Sequence, residues 1–388
     1  MLTGLTVVDF SRYLPGPVCT MRLADKGAEV IKVESYPTGD PGRTLGPKYG
    51  DDSTLFISSN RNKQSIAINL RTEQGRDLAF RLAVQADVIV ESFRPGVMQH
   101  LGLDYERIRA YKPDVIYCSL TGYGQYGTMH QLGGHDLNYQ AVSGLLGVTK
   151  DSEGRPVLSE IPIADYVGGV YASEQICAAL VQKVLKGQGA YLDIASADVL
   201  ASWMGMHVML AELGGKVTMN HFLTDLFSYN IYETADGRYV ALAALEDKFW
   251  QNFCRAVGRL DWEDITERNI TRYPEIFDEL KALFLMRTQS EWNELGTEVD
   301  CCLTAVEELD TWMTSPYITG RNLSFSLESG QTGSLVHIRT SFDHPNDGTH
   351  PPKLGEHTWN VLQAKLGVSP EQLKHYADLR IIPKGETT

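Results

Sequence analysis

Over the first third of the chain, short apolar runs alternate with amphipathic stretches: Leu5 to Phe10, Cys19 to Lys26, Glu29 to Val33, Gly75 to Gln85, Val88 to Val90 and Val115 to Leu120. That rhythm predicts β-α-β units. Runs such as Asp87-Val-Ile-Val and Asp114-Val-Ile-Tyr are apolar on consecutive positions, as strands covered on both faces require. The stretches between them are long enough to be right-handed crossovers, so the strands should be parallel. From Asp165 to Val184 the chain is small and apolar almost throughout, with Gly168, Gly169 and Ala172 allowing close approach, and a buried helix is expected. Gly187 and Gly189 end it, and Tyr191 to Ile194 reads as a further strand.

Beyond a loose stretch at Gly214 to Asn220 the pattern changes. Tyr229 to Glu233 and Tyr239 to Ala243 read as two strands joined at Ala235-Asp-Gly-Arg238, and helices are expected at Phe249 to Val257, Pro274 to Met286 and Gln289 to Val299. The expected fold class is α/β: a Rossmann-like parallel-sheet large domain over 1–213 and a smaller α+β domain over 214–329. The last segment, 330–388, is too short for a domain and should return to complete the first. At 388 residues the chain exceeds the size at which one hydrophobic core keeps growing, which agrees with two domains. No internal repeat or low-complexity stretch interrupts this organisation.

Composition narrows the partners. With 43% hydrophobic and 22% charged residues the chain is an ordinary globular one, and its net charge of −14 disfavours nucleic acid. A phosphorylated small molecule remains compatible, because a few well-placed arginines decide that locally. The six cysteines form neither a CxxC metal pair nor a disulfide framework, so reduced core thiols and no metal are expected. No apolar run is long enough for a membrane span, and neither end carries a secretion, peroxisomal or lipidation signal, so a cytoplasmic location is expected.

Two residues are candidates for chemistry. In Gly133-Gly-His-Asp-Leu-Asn-Tyr139, two glycines that can adopt positive φ could present His135 beside a ligand; its alternative role is to cap a following helix. Asp165 stands at the mouth of the apolar helix, either as its N-cap or as a carboxylate whose proton affinity burial raises toward neutrality. Thr121-Gly-Tyr-Gly-Gln-Tyr-Gly127 follows a strand but does not match a dinucleotide fingerprint. Asn60-Arg-Asn-Lys63 and Glu91-Ser-Phe-Arg-Pro-Gly96 place cations at strand ends or their loops, where parallel sheets bind ligands; the alternative is ordinary solvated surface.

Asp9-Phe-Ser-Arg12 with Gly16-Pro17, Leu23-Ala-Asp-Lys-Gly-Ala-Glu-Val-Ile-Lys-Val-Glu34, Gly39-Asp40, Asn60-Arg-Asn-Lys63, Phe93-Arg-Pro-Gly96 and Leu101-Gly-Leu-Asp104 resemble the N-terminal half of family III CoA-transferases. Ser119-Leu-Thr-Gly-Tyr-Gly-Gln125, Gly187-Gln-Gly-Ala-Tyr-Leu-Asp193 and Pro351-Pro-Lys-Leu-Gly-Glu-His-Thr358 carry the resemblance over nearly the whole chain. That superfamily includes acyl-CoA racemases as well as transferases on one fold. Both branches look alike at Asp165. The Gly-His-Asp-Leu-Asn-Tyr segment and Leu242-Ala-Ala-Leu-Glu-Asp-Lys-Phe-Trp250 look like the alpha-methylacyl-CoA racemase branch, and transferases usually lack the histidine. His135 and Asp165 stand 30 residues apart, as in that branch. Asp247 and Ala305 each replace a proline common there, which bears on substrate preference.

The resemblance implies an interlocked homodimer and an acyl-CoA thioester substrate, with coenzyme A entering as part of the substrate and no prosthetic group. For the racemase branch, His135 and Asp165 would move the alpha proton of a 2-methylacyl-CoA, with Glu246 supporting the histidine in trans and backbone N–H groups near the Asp165 helix receiving the enolate. Asn60, Arg61, Lys63 and Arg94 are the candidates for holding CoA, with Asn138 and Tyr139 along the pantetheine and thioester. In the transferase alternative, Asp165 is a nucleophile and His135 is incidental. An acyl-CoA-binding protein without turnover is the third reading, and the presence of all three candidate site residues argues against it.

Overall fold

The computed structural model describes residues 1–151, 153–212, 225–329, 333–340 and 348–385. The chain divides into two compact units, Met1–Met204 with Asn322–Thr388, and Gly205–Arg321. The first boundary thus falls after Met204 rather than after 213, and the return begins at Asn322 rather than 330. The loose stretch expected at Gly214 to Asn220 lies outside the described residues.

The first unit carries β1 (Thr6–Asp9), β2 (Glu29–Ser35), a small hairpin of β3 (Lys48–Tyr49) and β4 (Asp52–Ser53), then β5 (Lys63–Ile68), β6 (Val88–Glu91), β7 (Ile116–Thr121) and β8 (Ala190–Ala195). Six of these form one parallel sheet in the order β5-β2-β1-β6-β7-β8. Successive crossovers run outward from β1 to β5, and the chain then returns to pair β6 with the other side of β1. The direction therefore reverses between β1 and β6, and loops leaving the carboxyl ends of those strands diverge to opposite faces.

Neighbouring side chains of one strand point to opposite faces, and both faces are covered. Val8, Ile31, Ile66 and Ile89 pack with Leu78 and Leu82 of the helix Glu73–Ala83 on one side. Val7, Val30, Val88 and Ile116 pack on the other with Leu23 of Pro15–Ala24 and with Ala172 and Ile176 of Ile163–Lys186. Gly169 permits that helix pair to close, since a Cβ there would stand 2.5 Å from the Pro15 carbonyl oxygen. The long helix ends at Gly187, whose φ of 67° suits a residue without a side chain.

β5 was not legible as a strand because its inward positions include polar side chains: Lys63 and Ser65 are buried beside Ile66, Ala67 and Ile68. It is also a sheet edge, whose outward backbone groups need partners. The return segment supplies them. Ser65 N–H donates to His357 Nδ1 at 3.3 Å, His357 N–H to Ser65 O at 2.9 Å, and Ala67 N–H to Thr358 Oγ1 at 3.0 Å. Val361, Leu362 and Leu373, on the helices Thr358–Leu366 and Pro370–Asp378, then join the first core.

In the second unit β9 (Tyr229–Glu233), β10 (Tyr239–Ala243) and β11 (Leu303–Ala305) form an antiparallel sheet in the order β11-β10-β9. Gly237 turns the first hairpin with φ 72°. Helices Asp247–Ala256, Pro274–Phe284 and Gln289–Glu298 bring Trp250, Phe253, Phe284 and Trp292 into a largely aromatic core with Tyr232. β12 (Ser324–Ser329) and β13 (Gly333–Ile338) pair as a hairpin within the first unit's returning chain. The six cysteines are free, four of them buried.

Candidate active site

A cleft of about 640 Å3 opens in the first unit at the carboxyl ends of the parallel strands. Its walls come from the loops after β1, β6 and β7, residues 12–15, 92–95 and 120–123, from Ser196 after β8, and from the segment holding Gly133, Gly134, His135, Asn138, Tyr139 and Asp165. It sits at the topological reversal, where open α/β sheets bind their ligands.

Asp165 lies in the first turn of Ile163–Lys186, whose N-cap position is Pro162, so the carboxylate is not the helix cap. Its backbone N–H donates to Asp136 Oδ1 at 3.1 Å. Burial, and then the charge of Asp136, push the Asp165 carboxyl up to about 7. No hydrogen-bond donor or cation among the described residues engages that carboxylate. Near neutral pH a substantial fraction of this carboxyl is protonated, and neither oxygen is engaged by a described residue.

His135 precedes the helix Asp136–Val142 with extended backbone, and its N–H donates to Asn138 Oδ1 at 3.1 Å. Part of the Asn138 side chain is thus committed to the cap. The two glycines before His135 do not have positive φ. Crowding bears on Gly134, where a Cβ would stand 2.8 Å from the Tyr139 ring and 2.9 Å from Tyr123 Oη, while at Gly133 it would meet only the flexible end of Arg94 at 2.7 Å. Tyr139 Oη–H donates to the Gly134 carbonyl at 2.6 Å, and its ring packs edge-on to Tyr123 at 5.1 Å. Burial and the nearby Asp165 charge push the Tyr139 hydroxyl up to about 12, so it stays a donor. Tyr139 therefore clamps the loop that presents the histidine.

The polar and cationic residues expected at the CoA phosphates separate into two groups. Arg94 is exposed, lines the cleft and pairs with no described carboxylate. Its loop is tied down by Glu91, which accepts from Phe93 N–H at 2.7 Å and whose own carboxyl burial pushes up to about 7. Asn60, Arg61 and Lys63 are instead 0%, 2% and 3% exposed and none lines the cleft. Lys63 opens β5 at its amino end and bonds Asp9 Oδ2 at 3.3 Å, Pro17 O at 2.9 Å and Asn60 Oδ1 at 2.8 Å. Arg61 pairs with Asp25 at 2.5 Å. Asn60, Arg61 and Lys63, expected at the CoA phosphates, thus stand away from this cleft with side-chain donors engaged by Phe56, Asp25, Asp9 and Pro17. Likewise the Asp165 N–H, expected among the enolate donors, is occupied by Asp136.

Glu246 lies in the other unit, exposed, at the N-cap of Asp247–Ala256 and without a side-chain cap bond. Its neighbour Asp247 pairs with Arg268 at 2.7 Å. The sequence reading missed Arg12, whose signal was the same as that for Arg94, a cation just past a strand end, and Asp136, which stands next to His135 and adds to the effect of burial on Asp165. Among the described residues no cluster of His, Cys, Asp or Glu could hold a metal ion, and no helix is long and apolar enough to cross a membrane.

Residues 2–358 match CoA-transferase family III. This chain belongs to that family. It is an enzyme family that includes both transferases and racemases, and both are among its relatives. The chain is 30% identical to the succinyl-CoA:glutarate CoA-transferase of Homo sapiens over 100% of its own length and 91% of the relative's. It is 29% identical to the alpha-methylacyl-CoA racemase of Homo sapiens, covering 98% of this chain and 97% of that protein. A crystal structure of a CaiB/BaiF family protein from Brucella suis superposes with a TM-score of 0.81 at 28% identity, over 94% of this chain and 99% of the other. For this family III member the expected α/β fold, with its parallel sheet, is therefore the observed one, while the choice between chemistries rests on the cleft.

Proposed function

We propose that this family III protein is a CoA-transferase acting on acyl-CoA thioesters, with Asp165 as the nucleophile. The observation that carries the reading is the Asp165 carboxylate, unengaged by any described donor, in a cleft that also holds unpaired arginines. The greater sequence similarity to transferases supports the same choice. One Asp165 oxygen attacks the thioester carbonyl and expels CoA thiolate, leaving a mixed anhydride. The thiolate then attacks the aspartyl carbonyl, releasing the first carboxylic acid and forming an aspartyl-CoA thioester. An acceptor carboxylate attacks that thioester, and the same two steps in reverse deliver the new acyl-CoA and restore Asp165. Arg94, exposed at the rim, suits a hydrated CoA phosphate. Tyr139 and Asn138 hold the wall against which the thioester would lie.

The presence of both His135 and Asp165 on the walls of one cleft favours a second reading, a two-base 1,1-proton transfer at the alpha carbon of a 2-methylacyl-CoA, with a homodimer bringing Glu246 of a second copy to the histidine. The two chemistries separate in one experiment, with a 2-methylacyl-CoA and the protein in deuterated water, with and without an added carboxylic acid. The transferase moves CoA to the added acid, incorporates no alpha deuterium, and yields an aspartyl adduct that hydroxylamine traps. Alpha deuterium without any acceptor acid would replace this reading with the racemase.

A further inference from the structure

Arg12 is the cation of the cleft that the chemistry above does not use. It follows β1 directly at the topological reversal and is partly buried. Its guanidinium lies over the Phe93 ring, 4.5 Å from the centroid, and Nη2 donates to Ser35 Oγ at 3.1 Å. Its backbone N–H donates to Ser92 Oγ at 2.9 Å, which fixes the loop against the one that carries Arg94. The ring blocks one face of the guanidinium and fixes its plane, leaving an edge of parallel N–H donors.

No described residue forms an ion pair with Arg12. The carboxylate closest in effect, Asp40, is bound to Lys32 at 2.9 Å and accepts from Tyr13 N–H at 3.0 Å. Burial accordingly pulls the Arg12 pKa down, and Asp40 only partly opposes it. A permanently charged group that is partly desolvated and lacks a counter-ion is stabilised most by an anion that the cleft receives. A planar carboxylate matches the free edge in bidentate fashion, whereas a hydrated phosphate is better matched by the exposed Arg94.

We propose that Arg12 is the specificity residue of this cleft and binds the distal carboxylate of a dicarboxylic acyl group, so that the acids exchanged are dicarboxylates. This rests on the reading of the cleft as the acyl-CoA site. It makes the charge of the far end of the substrate, rather than chain length, the main discriminator, because an uncharged end would leave Arg12 unpaired.

The test compares succinate and glutarate with butyrate and hexanoate as CoA acceptors, for the wild type, Arg12→Gln and Arg12→Lys, with CoA affinity measured by calorimetry and folding by thermal melting. The wild type should favour the dicarboxylates at least about a hundredfold in kcat/KM. Arg12→Gln should lose about that factor on dicarboxylates while monocarboxylates change less than about threefold, with Arg12→Lys between, since it keeps the charge and loses the fork. CoA affinity should not change, and the melting transition should show that each variant is folded. An equal loss on both acid classes, a loss of CoA affinity, or a wild type that prefers monocarboxylates would overturn the proposal. If no acid accepts CoA and the alpha proton exchanges instead, the transferase reading has failed by itself. Arg12 is then judged by deuterium exchange into succinyl-CoA against butyryl-CoA, where an equal rate for both would overturn it.

Discussion

Two clusters of charged side chains lie in the first unit, built from similar residue types and settled in opposite ways. Beneath the β1, β2 and β5 strands, Lys32 pairs with Asp40 at 2.9 Å, Lys63 with Asp9 at 3.3 Å, and Arg43 with Glu34 at 2.7 Å and Asp52 at 2.9 Å. Ser11, Thr20 and Ser65 occupy remaining lone pairs on Asp9 and Glu34. Across the cleft, Arg12, Arg94 and Asp165 have no ionic partner among the described residues. Matching lowers the carboxyls of Asp9, Glu34 and Asp40 below their ordinary range despite burial, whereas Asp165 is pushed up to about 7. A matched buried cluster holds the chain together, and an unmatched one waits for a ligand.

The comparison is broken most severely at Asp165. Asp165→Asn keeps the shape and removes the nucleophile, and turnover should fall by at least about three orders of magnitude. The same variant should be more stable than the wild type above pH 7. The folded-state carboxyl holds its proton more tightly than the unfolded one, so its contribution is complete near pH 4 and is lost as pH rises through about 7. Asparagine carries no such loss, and the gain should be about 4 kcal/mol at pH 8, vanishing near pH 4. Urea titrations at the two pH values check it, and a variant that is inactive but no more stable at pH 8 would contradict the unmatched state of Asp165.

A break in the matched cluster should read out as stability instead. Lys63→Ala strips Asp9 of a buried partner and should cost about 3–5 kcal/mol of unfolding free energy. If the variant folds at low temperature, its KM for acyl-CoA should stay within about threefold of wild type. A large KM change in a stably folded variant would return Lys63 to the binding site.

The smallest effect is expected at Arg94. Arg94→Ala should weaken CoA binding by less than about tenfold at low salt, and by less still at high salt, where the wild-type attraction is itself screened. Calorimetry at two ionic strengths measures both numbers; affinity unchanged at low salt would remove Arg94 from the CoA site.

Much of this was legible in the chain. Apolar continuity at Val88–Val90 and Val115–Leu120 announced covered parallel strands, because such runs have no solvent face to alternate with. The small residues from Asp165 to Val184 announced a helix packed at close range, and the helix is there from Ile163 to Lys186. β5 was not legible, because Lys63 and Ser65 interrupt its apolar run to serve an ion pair with Asp9 and a hydrogen bond to Glu34, 54 and 31 positions away. The glycines at 133 and 134 suggest backbone freedom in the sequence, whereas neither has positive φ and Gly134 is instead needed for its lack of a Cβ beside Tyr139 and Tyr123.

Sequence alone determined the α/β class, the two-unit organisation and the family, since hydrophobic period and motif register are local properties of the chain. It also placed Asp165 and His135 among the candidates. Only the tertiary structure decided which charges are spent and which are free. Whether a lysine or arginine binds a ligand depends on the carboxylates that folding brings to it. For Lys63 that partner is Asp9, 54 residues away, and for Arg12 none is supplied among the described residues. Coulomb energy falls with distance in space and is indifferent to distance along the chain, so the pairing that separates structure from site has no signature in residue order.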